Sequence, residues 1–319
     1  MNPDPTLAEI GLVVSASASA TSVFAVVVAF RPDPERFARA MQAIAAQVKA
    51  VVVADNGGPR STPLPLPRSA VPVDMGGNRG VAAAQNRGIA KARELGATHV
   101  LILDDDSICE ADTVQALLQA WTGLCVAGEK VAAVGANFRD PRHGLMQAFH
   151  RVEGLGMKRL DSSAAAVHRV HTLISAGCLI ALDAFDAVGP MNESLFIDYV
   201  DTEWGMRAQA LGWSSFGVVD ARMEHTLGDS ILWLFGKPYS LHSPLRHYYM
   251  TRNGLWMIGQ RRFPIHWRLL ESWRLLRRSA AYLLLAPRRL ERLAMMSRGV
   301  RDALSGRMGA YPGRHRGGG

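Results

Sequence analysis

Thr98-His99-Val100-Leu101-Ile102-Leu103-Asp104-Asp105-Asp106-Ser107 decides how this chain folds. A short apolar run follows Gly96 and ends in three consecutive carboxylates. The run has the length and composition of a strand buried in a parallel sheet. In open α/β sheets, ligands bind beyond the carboxyl ends of the strands, so the acids belong at the lip of a cleft. Three adjacent carboxylates repel one another, and a divalent cation held by them and by substrate phosphates would relieve this. A solvated turn, or a helix start favoured by acidic side chains, also accounts for the triplet. On the triplet alone both readings stay open.

Upstream, strand and helix alternate. Val23–Phe30 reads as a first buried strand, and Arg31-Pro32-Asp33-Pro34 breaks it. A helix of about 13 residues follows, with Phe37, Met41, Ile44 and Val48 at amphipathic spacing. Ala50–Ala54 is a second strand ending in Asp55-Asn56-Gly57-Gly58, and a Pro-rich connection covers 59–72. A short strand near Val71–Met75 leads into Gly76-Gly77-Asn78-Arg79-Gly80 and a helix with Val81, Ala84, Ile89 and Ala92 on its buried side. Glycines ahead of a helix let backbone N–H groups approach a phosphate. No G-x-G-x-x-G follows the first strand, so the dinucleotide fingerprint is absent. The alternation predicts a parallel α/β sheet.

Downstream, a helix is expected over 111–126 and a strand over Val131–Asn137, whereas 139–168 reads as irregular. Ser175-Ala176-Gly177-Cys178 leads into a strand-like segment, and Ala184–Val188 forms a helical turn closed by Gly189-Pro190. In Asn192–Arg207, Asp201 stands where a helix should begin, with Trp204, Ala208 and Leu211 at helical spacing. Gly212 supplies its stop, and a strand at Ser215–Val219 precedes Arg222-Met223-Glu224-His225.

With 48% hydrophobic residues among 319, the chain can bury a substantial core. Cys109, Cys125 and Cys178 match no zinc spacing, and their odd number argues against a disulfide framework, which points to a reducing, cytoplasmic setting. The net charge of +8 conceals an asymmetry. From Ser243 onward, 16 arginines face Glu271, Glu291 and Asp302, giving +13 and leaving −5 for residues 1–242. Leu269, Trp273, Leu276, Ala280 and Leu283 repeat at helical spacing, with Arg268, Arg274, Arg277 and Arg278 outside that stripe. This is the pattern of a basic amphipathic helix lying in a membrane interface; a helix packed on the domain with a solvated arginine face would share it. No apolar run reaches the roughly 18–20 residues needed to span a bilayer. The leader before the apolar residues 11–30 carries Asp4 and Glu9 and no positive charge, unlike a secretory signal. The expected organisation is a disordered extension at 1–21, an α/β domain at 22–242, a basic helical extension at 243–305 and a disordered tail at 306–319.

The quoted motifs, in this order and spacing, resemble glycosyltransferase family 2 and its bacterial rhamnosyltransferase branch. Val26–Pro32 with Asp33, Ala54–Gly57, Asn78–Ile89, Leu101–Ser107, Ser175–Gly177, Leu195–Arg207, His225 and Tyr248–Asn253 carry the resemblance, over about residues 23–260. It implies the GT-A fold, a mostly parallel central sheet flanked by helices, here with a C-terminal helical extension. It implies that Asp55 contacts the nucleotide base, that Asn78 and Gly80 belong to the donor site, and that Asp104 and Asp106 end the D-x-D element. Asp104 would lie towards the ribose and on the metal, Asp106 on Mg²⁺ or Mn²⁺, and His225 would complete the metal site. Asp105, the middle residue and the variable member, is counted with the donor-binding residues. Asp201 aligns with the catalytic base because Arg207 follows six residues later; Val200 replaces the usual acid, and Asp198 is the competitor. Arg252 would meet the diphosphate.

The resemblance further implies an inverting transfer from a nucleotide sugar, dTDP-L-rhamnose first and a UDP-hexose or UDP-galactofuranose second. The acceptor would be lipid-linked or a growing O-antigen or capsule glycan, with the enzyme peripheral at the inner face of the plasma membrane through its Arg-rich helices. A sugar-nucleotide nucleotidylyltransferase would carry a G-x-G-x-R loop where Arg31-Pro32-Asp33-Pro34 stands. A non-enzymatic nucleic-acid-binding protein is disfavoured by the acidic body, so no nucleic-acid partner is expected.

Overall fold

The computed structural model describes residues 21–59, 63–154, 156–160, 163, 165–226, 228, 230–234 and 237–313. The N-terminal extension expected at 1–21 lies, save its last residue, outside the described residues, as do 314–319.

Strand β1 (Val23–Ala29) is buried along its whole length. It pairs in parallel with β2 (Ala50–Asp55) and with β4 (His99–Asp104), and β2 pairs in parallel with β3 (Ala70–Asp74). Helices α1 (Pro34–Ala45) and α2 (Val81–Glu94) make the crossovers. Successive residues of β1 enter opposite cores, as the two-residue period of a strand requires. Ala25 and Val27 pack in the core shared with Phe37, Met41 and Ile44 of α1. Phe24 and Val26 pack in the core shared with Ala82, Ile89 and Ala92 of α2. Asp33 caps α1 by accepting the Arg36 N–H at 2.9 Å, so the Pro-Asp-Pro break doubles as the helix start.

The chain continues through β5 (Ile108–Cys109), α3 (Thr113–Val126) and β6 (Val131–Arg139). Residues expected to be irregular form the hairpin β7 (His150–Glu153) and β8 (Gly156–Arg159), then β9 (Val167–Val170). These strands are short and largely exposed, so they carry no apolar alternation to read. Next come β10 (Cys178–Ala181), α4 (Leu182–Val188), a 3-10 turn (Glu193–Leu195), α5 (Val200–Ala210) and β11 (Ser214–Glu224). β11 outruns the strand expected at Ser215–Val219 because a register shift between Val218 and Arg222 interrupts its alternation. The sheet order is β3-β2-β1-β4-β10-β6-β11-β5, with β9 on β11. β10 is antiparallel to both neighbours, which makes the sheet mixed but mostly parallel. The reversal of strand order around β1 and β4 places a crevice beyond their carboxyl ends.

After the hairpin β12 (Ser230–Leu234) and β13 (Lys237–Leu241), three helices close the fold: α6 (Pro244–Gly259), α7 (Ile265–Leu285) and α8 (Arg289–Leu304). α6 starts at the expected domain boundary but is no appendage, since most of its residues from His247 to Gly254 are buried. The tail expected to be disordered from 306 is docked as far as 313. Gly309 N–H donates to the Ser194 carbonyl at 2.6 Å and Tyr311 N–H to the Tyr249 hydroxyl at 2.8 Å. α7 turns its apolar stripe outward: Ile265, Leu269, Trp273 and Leu276 are each more than half exposed. Its buried side carries Trp267, Leu270, Glu271 and Leu275. No helix among the described residues is long and apolar enough to cross a membrane.

Gly88 marks where α2 lies against β1, since a Cβ there would stand 2.4 Å from Cγ1 of the fully buried Val26. Gly88→Val should lower stability by about 2–3 kcal/mol through overpacking. A urea unfolding midpoint equal to wild type would show that the helix can ride up without cost.

Candidate active site

The acids that end β4 open into a cavity of about 580 Å³, bounded on the far side by the 3-10 turn and α5. Asp104 pairs in register with Val28 of β1, which fixes it at the strand end. Its N–H donates to Ser107 Oγ at 3.2 Å while Ser107 N–H returns to its carbonyl at 3.1 Å, a turn that fans the next two carboxylates apart. Asp105 Oδ2 accepts the Phe30 N–H at 2.7 Å. Burial and its acidic neighbours push this carboxyl up to about 7, against that hydrogen bond. Asp105 thus ties the triplet to the end of β1.

Asp106 points to the other strand edge. Its Oδ1 lies 2.9 Å from His225 Nδ1, and its Oδ2 accepts from the Thr226 hydroxyl and, at 3.2 Å, from the Thr226 N–H. Arg36 stands 3.8 Å away. Burial would raise this carboxyl, but the His225 hydrogen bond and charge, Thr226 and Arg36 together hold it below its ordinary value. His225 follows β11 and is 5% exposed, so it is no surface histidine. Its Nε2 lies 3.7 Å from Asp104 Oδ2, which places the ring between the two carboxylates. Burial acts to lower its pKa, yet the Asp106 hydrogen bond and the charges of Asp104 and Asp106 outweigh it and raise the value. The shift favours the protonated ring, which is the form that two adjacent acids stabilise.

Among the described residues, no group of three or more His, Cys, Asp and Glu side chains is arranged to hold a metal ion as it stands. Two carboxylates and an imidazole are nevertheless a donor set suited to Mg²⁺ or Mn²⁺, with bound phosphates to complete the shell.

The glycine-rich helix start forms one wall. Asn56 and Asn78 bond at 3.2 Å, Asn56 Oδ1 accepts the Arg79 N–H at 2.8 Å, and Asn78 Oδ1 accepts the Gly80 N–H at 3.0 Å. Gly80 has φ +89°, and a Cβ there would lie 2.6 Å from the Phe196 carbonyl oxygen, so only glycine fits. Val81 N–H, at the helix start, donates to that carbonyl at 2.7 Å. Asp55 sits at the end of β2 and accepts the Gly57 N–H at 3.0 Å; Asn56, the next residue, lines the cavity and Asp55 does not.

The opposite wall is strained. Phe196, Asp198 and Tyr199 hold φ of +66°, +66° and +65°, at about 1–3 kcal/mol each for residues with a Cβ. α6 holds them there. Asn253 Nδ2 donates to the carbonyls of Leu195, Ile197 and Asp198 at 2.9, 2.8 and 2.9 Å. Arg246 grips both oxygens of Asp198, at 2.8 and 2.7 Å. Phe196 stacks on Tyr249 with centroids 5.2 Å apart. From α7, Arg278 donates to the Tyr199 hydroxyl at 2.9 Å, and that hydroxyl donates to Glu271 at 2.5 Å. The loop delivers Asp201 into the cavity one turn on. Burial pushes the Asp201 carboxyl up to about 6, against hydrogen bonds from the backbone of Thr202 and Ser175.

The structure corrects one expected site residue. Arg252 does not reach the cavity: it is fully buried and donates to the carbonyls of Leu195 at 3.0 Å and Gly309 at 2.6 Å. The guanidiniums that face the cavity are Arg246 and Arg278, which the sequence reading placed within the basic tail. The position of Arg246, two residues ahead of the Tyr248–Asn253 motif, is the sequence signal for it.

The sequence profile of glycosyl transferase family 2 matches residues 25–184. The dTDP-rhamnosyl transferase RfbF of Shigella flexneri is 28% identical over 253 residues, covering 77% of this chain and 82% of that protein. Among solved structures, S. aureus TarS aligns over 89% of this chain and 49% of its own, with TM-score 0.57 and 14% identity. GalNAc-T7, solved with UDP, GalNAc and Mn²⁺, aligns over 84% of this chain and 58% of its own, with TM-score 0.51 and 11% identity. The chain thus spans about half the length of these solved chains, and at such identities the likeness shows the fold alone.

Asn253→Leu should take this donor from the Ile197 and Asp198 carbonyls, while Leu195 keeps that of Arg252, and cost about 1–3 kcal/mol. Amide exchange at Val81, whose N–H depends on the Phe196 carbonyl, should accelerate in the variant. Unchanged protection there would show that the loop holds its shape without Asn253.

Proposed function

This chain belongs to glycosyl transferase family 2, and we propose that it moves L-rhamnose from dTDP-L-rhamnose onto a hydroxyl of a lipid-linked or polysaccharide acceptor in surface-glycan synthesis. One observation carries the transferase chemistry: the Asp104–Asp106 turn, the Asn78–Gly80 helix start and Asp201 line a single cavity. The dTDP-rhamnose donor draws its support from the similarity to RfbF, which extends over 82% of that protein.

The nucleotide lies against Asn56, Asn78 and Gly80 with Asp104 towards the ribose, and its base extends past the cavity lining to Asp55 at the end of β2. A divalent cation held by Asp104, Asp106 and His225 would neutralise charge developing on the departing nucleoside diphosphate. Asp201 takes the proton from the acceptor hydroxyl as that oxygen attacks the anomeric carbon, which inverts its configuration. Asp198 is the poorer base because both of its oxygens are committed to Arg246. Its part is to hold the loop.

The extension from 243 is read as the membrane-facing part. Trp273 is 60% exposed on a face shared with Ile265, Leu269 and Leu276. An exposed apolar stripe in a segment of charge +13 suits the interface of an anionic bilayer. The enzyme would then work at the cytoplasmic face of the plasma membrane. In flotation, the protein should rise with phosphatidylglycerol vesicles and Trp273→Glu should remain behind; equal flotation of the two would place the contact elsewhere.

A thermal-shift screen of nucleotide sugars, with and without Mn²⁺, tests the donor: dTDP-L-rhamnose should give the largest shift, and a larger one from a UDP-sugar would replace it. Asp201→Asn should abolish transfer while sparing donor binding, and retained turnover would move the base to Asp198. Asp201 serves as base only when ionised, so wild-type kcat should climb through about pH 6. A flat profile from pH 5 to 8 would argue against this base. The raised pKa of His225 keeps its proton in the cation-free protein above pH 6.5. A cation must displace that proton, so Mn²⁺ affinity measured by calorimetry should increase from pH 6.5 to pH 8. Affinity independent of pH would remove His225 from the cation site.

A further inference from the structure

Beyond Asp198 and Tyr199 a second cavity of about 220 Å³ opens, and it shares Asp198, Tyr199, Met250 and Arg278 with the larger one. Its remaining wall comes from α7 through Trp267, Glu271 and Arg274, and from the outer strands through His150 and His171. The acids here are already matched. Asp198 is held by Arg246 at 2.7 Å, and Glu271 by Arg274 at 3.1 Å and the Tyr199 hydroxyl at 2.5 Å. Arg278 stands between the cavities and donates to the neutral Tyr199 hydroxyl, with no carboxylate in ion-pair range among the described residues. Glu271 acts on Arg278 only across the shared Tyr199 hydroxyl, so no carboxylate directly occupies the guanidinium, whose planar fork suits phosphate oxygens. Burial lowers the pKa values of His150 and His171, which favours their neutral forms and adds hydrogen-bonding capacity to the cavity.

α7 joins this seat to the outer surface. Trp267, Glu271, Arg274 and Arg278 line the cavity, while Ile265, Leu269, Trp273 and Leu276 of the same helix are exposed on its other side. The two sides are separated by one helix diameter, about 10 Å. We propose that the smaller cavity seats the phosphate or diphosphate of a lipid-linked acceptor on Arg274 and Arg278, so that the sugar beyond it reaches Asp201 while the lipid leaves along the apolar side of α7. This selects the lipid-linked acceptor over the free polysaccharide, and it rests on the transferase reading of the larger cavity.

Binding of farnesyl diphosphate, farnesol, inorganic pyrophosphate and dTDP to the full-length protein, followed by calorimetry, tests it. Farnesyl diphosphate should bind at least about tenfold tighter than either farnesol or pyrophosphate, because it alone satisfies both sides of α7. Saturating dTDP should leave that affinity within about twofold. Arg274→Gln, at a half-exposed position outside the larger cavity, should weaken farnesyl diphosphate about tenfold with dTDP binding as in wild type. Arg278→Gln should weaken it likewise, and Arg278→Lys, which keeps the charge, should recover most of the loss. Displacement of farnesyl diphosphate by dTDP would mean one diphosphate site and overturn the proposal. Equal affinity for farnesol, or indifference to Arg274→Gln, would overturn it as well. Loss of dTDP binding alone, with farnesyl diphosphate still held in an arginine-dependent way, would instead sink the transferase reading and leave the lipid-phosphate seat standing.

Discussion

One side-chain amide, its two N–H groups shared among three carbonyls, holds the site together. Asn253 meets the carbonyls of Leu195, Ile197 and Asp198, and without such a donor the loop has no reason to keep three residues with a Cβ in the left-handed region. The loop also accepts the first N–H of α2 on the Phe196 carbonyl, so the shape of the donor-side wall depends on the same clamp. Arg252 and Arg246 reinforce it from neighbouring turns of α6, one on Leu195 and one on Asp198. A segment in the basic half of the chain is therefore the scaffold of the acidic half's cleft.

Electrostatics divides that cleft. On the donor side, His225 sits between Asp104 and Asp106, and the three groups exchange influence: the ring is raised, Asp106 is lowered, and Asp104 is raised chiefly by desolvation. Across the cavity, Asp201 has no cationic partner among the described residues and is held by N–H groups of Thr202 and Ser175, which leaves burial free to lift it to about 6. In the proposed transfer the two sides hold their carboxylates for different work, one for charge neutralisation and the other for proton transfer.

α7 serves two environments at once. An amphipathic helix in a globular protein ordinarily buries its apolar stripe. Here the buried side is mixed, with Glu271 and Arg278 tied to Tyr199, and the continuous apolar stripe faces out. The arginines are therefore not a solvated face opposite a buried stripe. Part of the charge is turned inward to the loop and the cavities, which is why a reading based on which residues should be buried inverts this helix.

Much of the architecture was legible in the sequence because it is written in short-range terms. The β-branched runs of β1, β2 and β4 repeat with helical spacers, and parallel strands at that spacing need crossover helices on both faces. The Asp triplet at the end of β4 and the glycines before α2 follow from the same rule that ligands meet strand ends. The exposed hairpin at 150–159, the bulged reach of β11 and the docked turn at 306–313 were not legible, since none carries a periodic apolar signal. The roles of the arginines were the least legible of all. Arg246, Arg252, Arg274 and Arg278 are equivalent in composition, and their sequence spacing does not reveal which carbonyl, carboxylate or hydroxyl each one meets. The sequence by itself determined the α/β class and the acids that line the cleft. Only the tertiary structure decided that Arg252 is buried on carbonyls while Arg246 and Arg278 face the cavity, because contacts between residues some 50 to 80 positions apart depend on how α6 and α7 pack against the loop.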